Sequence, residues 1–83
     1  NRESGEGRYD IQLQPRTAAM PGIIIEIKAA NDATEEQLKA LADNALTQIE
    51  SKHYDTELMA HGITTVYKYG IAFSGKKVEI ATN

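Results

Sequence analysis

The sequence predicts a single small α/β domain, because stretches with strand periodicity lie on both sides of one long stretch with helical periodicity. The chain has 83 residues, a length that suits one domain and not two. Apolar residues make up 41% of it and charged residues 25%, which is typical of a folded chain and not of a disordered one. We expect the element order β-β-α-β-β, with a right-handed crossover between the parallel strands that flank the helix.

Two strands are predicted before the helix. Residues 9–14 alternate between apolar and polar side chains, as a half-buried strand does. A turn region bounded by two prolines follows at residues 15–22. Residues 23–28 are mostly β-branched and apolar, so we expect a central strand covered on both faces. Glu26 and Lys28 lie on one face of that strand, because successive side chains alternate, and two charges in a buried strand are unusual.

A helix over residues 35–52 is predicted by a capping box and an apolar stripe. Thr34 is the expected N-cap, with Gln37 as its partner at the third helical position. The stripe recurs at helical spacing and consists of Leu38, Leu41, Ala42, Ala45, Leu46 and Ile49. A shorter helical stretch at residues 56–60 is expected to end at Gly62.

The end of the chain predicts a β-hairpin. Residues 63–73 form an extended run, Ser74 and Gly75 indicate a tight turn, and residues 77–82 alternate again.

Composition limits the classes of function. The chain has no cysteine, so disulfides and thiolate metal sites are excluded and a reducing compartment is compatible. The two histidines lack a partner at the spacing of a zinc site. The formal net charge is −3, whereas dedicated nucleic-acid-binding domains are usually basic. No apolar run is long enough to span a bilayer, so we expect a cytoplasmic protein without a membrane partner.

Asp10, Glu26 and Lys28 form the clearest candidate site. If the first two strands pair with Asp10 on the same side as Glu26, two carboxylates converge beside one ammonium group. Mg²⁺ prefers oxygen ligands of this kind, and a lysine beside it can activate water or stabilise charge on a phosphoryl group. The alternative is a Glu26–Lys28 ion pair on the surface of an edge strand, which would contribute little to stability.

The order of these features resembles the PD-(D/E)xK nuclease superfamily. An aspartate is followed after about fifteen residues by an apolar strand that carries Glu-x-Lys, and then by a helix. The similarity covers nearly the whole chain and extends to one bacterial branch, in which the nuclease-like domain follows an AAA-type ATPase-like domain. The segments that carry it are residues 1–5 and 7–10, residues 21–28, Gln48 and Ile49 with Lys52 and Tyr54, and residues 70–76.

The resemblance implies a restriction-endonuclease-like mixed sheet with one main helix packed on it and with the first helix of the fold missing. It implies that Asp10 and Glu26 are metal ligands for Mg²⁺ or Mn²⁺, with the Ile27 carbonyl as a third. Lys28 would be the catalytic lysine. Gln48 matches a helix glutamine that lies near the catalytic site in several branches, and its place at the flank of the apolar stripe permits this role; an ordinary boundary residue is the alternative.

The sequence departs from the superfamily pattern at two points. Tyr9 stands in place of the proline of the Pro-Asp pair. The first helix, which often adds an acidic residue, has no counterpart here. Glu3 is either a partial substitute for that acidic residue or an ordinary loop residue.

The chain begins with asparagine and not methionine, and we expect residues 1–83 to be one nuclease-like domain of a larger, ATPase-linked protein. The resemblance implies metal-dependent cleavage of nucleic acid, with DNA as the expected substrate. One alternative is a catalytically inactive binding or assembly module with the same fold, and another is a purely structural domain. Because a small sheet without its first helix exposes apolar surface or a strand edge, we also expect a homodimer of this domain.

Overall fold

The computed structural model describes residues 10–83, in which a four-stranded sheet carries two helices on one face. The elements are β1 Ile11–Leu13, β2 Gly22–Ala29, α1 Glu35–Ser51, α2 Thr56–Ala60, β3 Val66–Ser74 and β4 Lys77–Thr82. The strands lie in the order β1-β2-β3-β4. β2 and β3 are parallel, while β1 and β4 pair antiparallel to them at the two edges. This mixed sheet with one main helix confirms the predicted α/β class.

Helix α1 begins where the capping box predicts. The Thr34 hydroxyl accepts a hydrogen bond from the Gln37 backbone N–H at 3.1 Å, and the Gln37 side chain accepts one from the Thr34 N–H at 2.8 Å. Two otherwise unpaired N–H groups of the first turn are thereby satisfied. The helix ends at Ser51, one residue earlier than predicted, with Lys52 as its C-cap.

The core lies between the two helices and one face of the sheet. Towards the amino ends of β2 and β3 it consists of Ile24, Ile49, Tyr54, Leu58 and Ile63. Towards their carboxyl ends it consists of Ala33, Leu38, Ala42 and Ala72. Of the predicted stripe, Leu41 and Leu46 are only half-buried, because they lie at opposite flanks of the face that α1 presents to the sheet.

Helix α1 crosses the sheet at Gly70. A Cβ atom at this position would lie 2.6 Å from the Leu46 backbone nitrogen and would also collide with the Ala42 carbonyl oxygen. The helix backbone therefore rests directly on β3, and only glycine permits this approach. Gly70 is the register partner of Glu26 on β2, so the crossing point adjoins the candidate site.

The prediction that residues 23–28 are covered on both faces is wrong for the described part of the chain. Both helices pack on the same side, and no described element covers the other face. Seven large apolar side chains on that face are 38% to 57% exposed: Ile11, Leu13, Ile27, Tyr67, Phe73, Val78 and Ile80. We call this surface the bare face.

Several predicted boundaries shift. β1 is shorter than the predicted strand over residues 9–14, and Glu3 and Tyr9 lie outside the described residues. The third strand starts at Val66, three residues later than predicted, because Ile63 packs into the core beside the helices. The tight turn consists of Gly75 and Lys76, since Ser74 still pairs with Lys77 in the sheet. None of the helices described is long and apolar enough to cross a membrane.

We expect Gly70→Ala to lower the free energy of unfolding by at least about 2 kcal/mol, because the new methyl group meets helix backbone that cannot move aside. Urea denaturation measures the loss. Gly22→Ala is the matched control. There a Cβ would lie 2.8 Å from Leu58 Cδ1, the flexible end of a side chain, so a smaller loss is expected. Equal losses for the two variants would mean that α1 does not cross the sheet at Gly70.

Candidate functional site

The pairing of β1 with β2 brings Asp10 next to Glu26. Ile11 pairs with Ile25 in the antiparallel register, so the preceding residue on β1 falls opposite the following residue on β2. The Asp10 carboxylate accepts a hydrogen bond of 2.7 Å from the Ile27 backbone N–H. This contact holds Asp10 against β2, directly beside the peptide unit that links Glu26 to Ile27.

Glu26 is a buried carboxylate on an interior strand. The residue is 8% exposed, and its Oε1 atom has no hydrogen-bond partner among residues 10–83. Burial raises the pKa of Glu26 above its ordinary value of 4.5, and the negative charge of Asp10 raises it further. The positive charge of Lys28 and a hydrogen bond from the Asp10 backbone lower the pKa and only partly offset this. An unsatisfied buried carboxylate oxygen is costly for folding. Such an arrangement is typical of a functional site and not of a structural one.

Lys28 lies on the same face of β2 as Glu26 and is half-buried. Within the described part of the chain its ammonium group forms no ion pair and no hydrogen bond. The alternative of a Glu26–Lys28 surface ion pair on an edge strand is therefore wrong: β2 has a neighbour on each side, Glu26 is buried, and the two side chains are not paired.

The other predicted site residues are Ile27 and Gln48. Ile27 points its side chain to the bare face, and its backbone lies beside Asp10. Gln48 is half-buried on α1, next to the fully buried Ile49, and its side chain makes no hydrogen bond with any described residue. Its role remains a prediction from the resemblance.

Gln12 is a site neighbour that the sequence reasoning missed. It pairs with Ile24 on the helix-covered face, and its Oε1 atom is buried without a partner among the residues described. Period-two alternation places Gln12 on the same face as Asp10, and this was the available signal. The site thus has unsatisfied oxygens on two neighbouring strands, from Gln12 and Glu26.

Asp10 and Glu26 supply oxygen atoms of the kind that a divalent metal ion binds. No group of three or more His, Cys, Asp and Glu side chains within residues 10–83 is placed to hold a metal, and these two neighbouring carboxylates are the candidates there. Mg²⁺ is often held by only one or two carboxylates, with water and substrate phosphate completing its shell. The unsatisfied Glu26 oxygen supplies a ligand atom of the required kind.

The described residues thus form a mixed α/β sheet crossed by a helix, with Asp10, Glu26 and Lys28 on one face of two neighbouring strands. A family model for the PD-(D/E)XK nuclease superfamily matches residues 1–83, the whole chain, and the protein belongs to this superfamily. Its members generally use divalent metal ions and act on nucleic acids. The fold is consistent with the restriction-endonuclease-like arrangement that the sequence implied. No curated protein and no solved structure matches the chain significantly.

We expect Glu26→Gln to raise the free energy of unfolding at pH 7. The pKa of Glu26 is raised in the folded state, so its stabilising contribution is full below pH 4.5 and is lost as pH rises through the folded-state pKa. The neutral amide avoids that loss, so the difference in free energy of unfolding between the variant and the wild type should shrink towards pH 4. Urea denaturation across this range measures it, with the exposed Glu50→Gln as control. A difference that is independent of pH would contradict the burial of a charged Glu26.

Proposed function

We propose that this domain is a metal-dependent nuclease that hydrolyses phosphodiester bonds, with DNA as the expected substrate. The observation that supports it is the buried Glu26 carboxylate beside Asp10 and Lys28. Among residues 10–83 one oxygen of Glu26 has no hydrogen-bond partner and the Lys28 ammonium group has no ion pair. Membership of the nuclease superfamily supplies the reaction class.

In this proposal Asp10 and Glu26 are the metal ligands, for Mg²⁺ or Mn²⁺, and the Ile27 carbonyl is a third. The negative charge of Asp10 raises the pKa of Glu26, and a bound cation would relieve this repulsion between the two carboxylates. When bound, the metal ion supplies a Lewis acid for the oxygens of the phosphoryl group. The hydrogen bond from the Ile27 N–H fixes the direction of the Asp10 carboxylate.

Lys28 is the proposed catalytic lysine. Its ammonium group is a compact positive charge without a partner in the described chain, so it is available to the phosphoryl group as negative charge develops there. Gln48 joins this set from α1, which crosses the sheet beside Glu26, and we propose that it contacts the substrate or the attacking water.

The resemblance to the bacterial branch also suggests what the full-length protein contains. We propose that residues 1–83 form one domain of a larger cytoplasmic protein, in which an AAA-type ATPase-like domain lies upstream as in the bacterial branch. A second candidate function is a catalytically inactive nuclease-fold module for binding or assembly. The observations that favour it are that residues 10–83 contain no group of three or more His, Cys, Asp and Glu side chains placed to hold a metal, and that the net charge is −3.

We also infer that the domain forms a symmetric homodimer through the bare face. The seven exposed residues of this face are all large and apolar and lie together on one side of the sheet. A contiguous apolar patch of this kind marks an interaction surface, and a second copy of the chain offers the same apolar patch to cover it.

We expect the 83-residue chain to be dimeric in light scattering and Ile80→Lys to shift it to the monomer, because the charge falls within the proposed interface. Met59→Lys is the matched control. Met59 and Ile80 are both 57% exposed, but Met59 lies on α2, on the other side of the sheet. The inference fails if the wild type is monomeric at high concentration, or if both substitutions have the same effect.

We expect the intact protein to cleave nucleic acid only with Mg²⁺ or Mn²⁺. Asp10→Ala and Glu26→Ala should remove metal binding, measured by calorimetry, together with cleavage. Lys28→Ala should retain metal binding and lower the cleavage rate at least about 100-fold, as the loss of a group that stabilises transition-state charge does. Lys39→Ala, at an exposed position of α1, is the control and should cleave normally.

The proposal fails if the intact protein cleaves none of single-stranded, double-stranded or structured DNA and RNA with either metal. It also fails if cleavage survives all three substitutions. Metal binding without cleavage in the wild-type protein would favour the inactive binding module.

A further inference from the structure

An open depression lies at the carboxyl ends of β2 and β3, beyond the proposed catalytic residues. Its volume is about 430 Å³. In open α/β sheets, ligands commonly bind outside the carboxyl ends of the strands. The residues that line it include Asn31, Asp32, Ser74, Gly75, Lys76 and Lys77.

The depression adjoins the site on the same side of the sheet. Alternation along β2 places Ala30, which lines the depression, on the same face as Glu26 and Lys28. At roughly 3.3 Å per residue, Ala30 lies about 7 Å beyond Lys28 and about 13 Å beyond Glu26. Successive phosphates of a duplex strand advance by roughly 3.4 Å along the helix axis. A nucleic-acid strand that runs along β2 from the cleaved bond would therefore place phosphates a few nucleotides away over the depression.

Two hydrogen bonds fix the walls of the depression. The Ser74 hydroxyl oxygen accepts one from the Ala33 N–H at 3.0 Å, and the Lys77 ammonium donates one to the Ala33 carbonyl, also at 3.0 Å. These bonds tie the β3–β4 hairpin to the loop that leads into α1. The hairpin turn is thus held in place and does not need to be ordered by a ligand.

Lys76 and Asn31 are the donors that remain available. Both are exposed, and neither side chain makes a hydrogen bond or ion pair with another described residue. Ammonium and amide groups of this kind commonly contact the phosphates of nucleic acids. Between them, Gly75 has open space where a Cβ would lie, so the backbone of a ligand can approach the turn closely.

The charges of the lining residues favour phosphate binding in this depression over binding at the adjacent surface. The depression has two lysines against the single carboxylate of Asp32. The neighbouring depression, on the other side of Lys77, has two carboxylates, from Glu35 and Glu79, and would repel phosphate. A polyanion is thereby directed to the side of the hairpin that carries Lys76.

We propose that this depression is a subsite for the phosphodiester backbone that flanks the cleaved bond, with Lys76 as its main phosphate contact. The proposal rests on the proposed nuclease function, because it needs the cleaved bond to lie at Glu26 and Lys28. Its contribution is to affinity and register, not to the chemical step.

Binding measured without cleavage tests the subsite. The intact protein carrying Glu26→Gln is titrated into fluorescent single-stranded and duplex oligonucleotides of DNA and of RNA, over a range of salt concentrations. Adding Lys76→Ala should reduce the slope of log affinity against log salt by about one and weaken binding roughly five- to ten-fold at 0.1 M salt. Lys76→Arg should retain both the salt slope and the affinity. Lys39→Ala, at an exposed position of α1, should change neither quantity.

The outcomes separate the subsite from the nuclease function. If Lys76→Ala and Lys39→Ala behave alike, the subsite is wrong even where the wild-type protein cleaves its substrate. If binding depends on Lys76 but the wild type cleaves nothing, the depression still binds nucleic acid, but the nuclease function falls and with it the position of the subsite beside a cleaved bond. Failure to bind any of the four probes overturns the subsite directly. A difference between the DNA and RNA probes identifies which backbone it receives.

Discussion

The close contact between α1 and β3 at Gly70 is the constraint on which the rest of the structure depends. It lets the helix backbone rest on the sheet without an intervening side chain. Because Gly70 pairs with Glu26, the contact lies beside the buried carboxylate that the proposed chemistry needs. A larger residue at position 70 would force the helix away from β3 next to this carboxylate.

Burial of Glu26 is unfavourable for folding and favourable for cation binding. A carboxylate with an unsatisfied oxygen and a neighbouring negative charge destabilises the native state while it is ionised. A domain of this size has only a small reserve of stability, so a purely structural role for this arrangement is hard to justify. In the proposed site, a divalent cation bound by Asp10 and Glu26 would make the same features favourable.

Local signals in the sequence were enough to predict α1, the hairpin and the mixed sheet, because capping and periodicity depend on neighbouring residues. Contacts between distant segments were not predictable in this way. The apolar run at residues 23–28 has the same composition whether one face of its strand is covered or both. Nothing near Gly70 in the sequence indicates which strand the helix crosses. Gln12 has the right alternation, but only the folded chain shows that its side-chain oxygen is buried without a partner among residues 10–83.

The two faces of the sheet carry different kinds of residue. Glu26 and Lys28 lie on the helix-covered face, and the hairpin depression continues from them at the end of the sheet. The apolar residues of the bare face point the opposite way. Any partner that covers the bare face would therefore lie on the opposite side of the sheet from the acidic pair and from Lys28. In a symmetric dimer the two sites would face outward on opposite sides, so each copy would contact its own stretch of phosphodiester backbone.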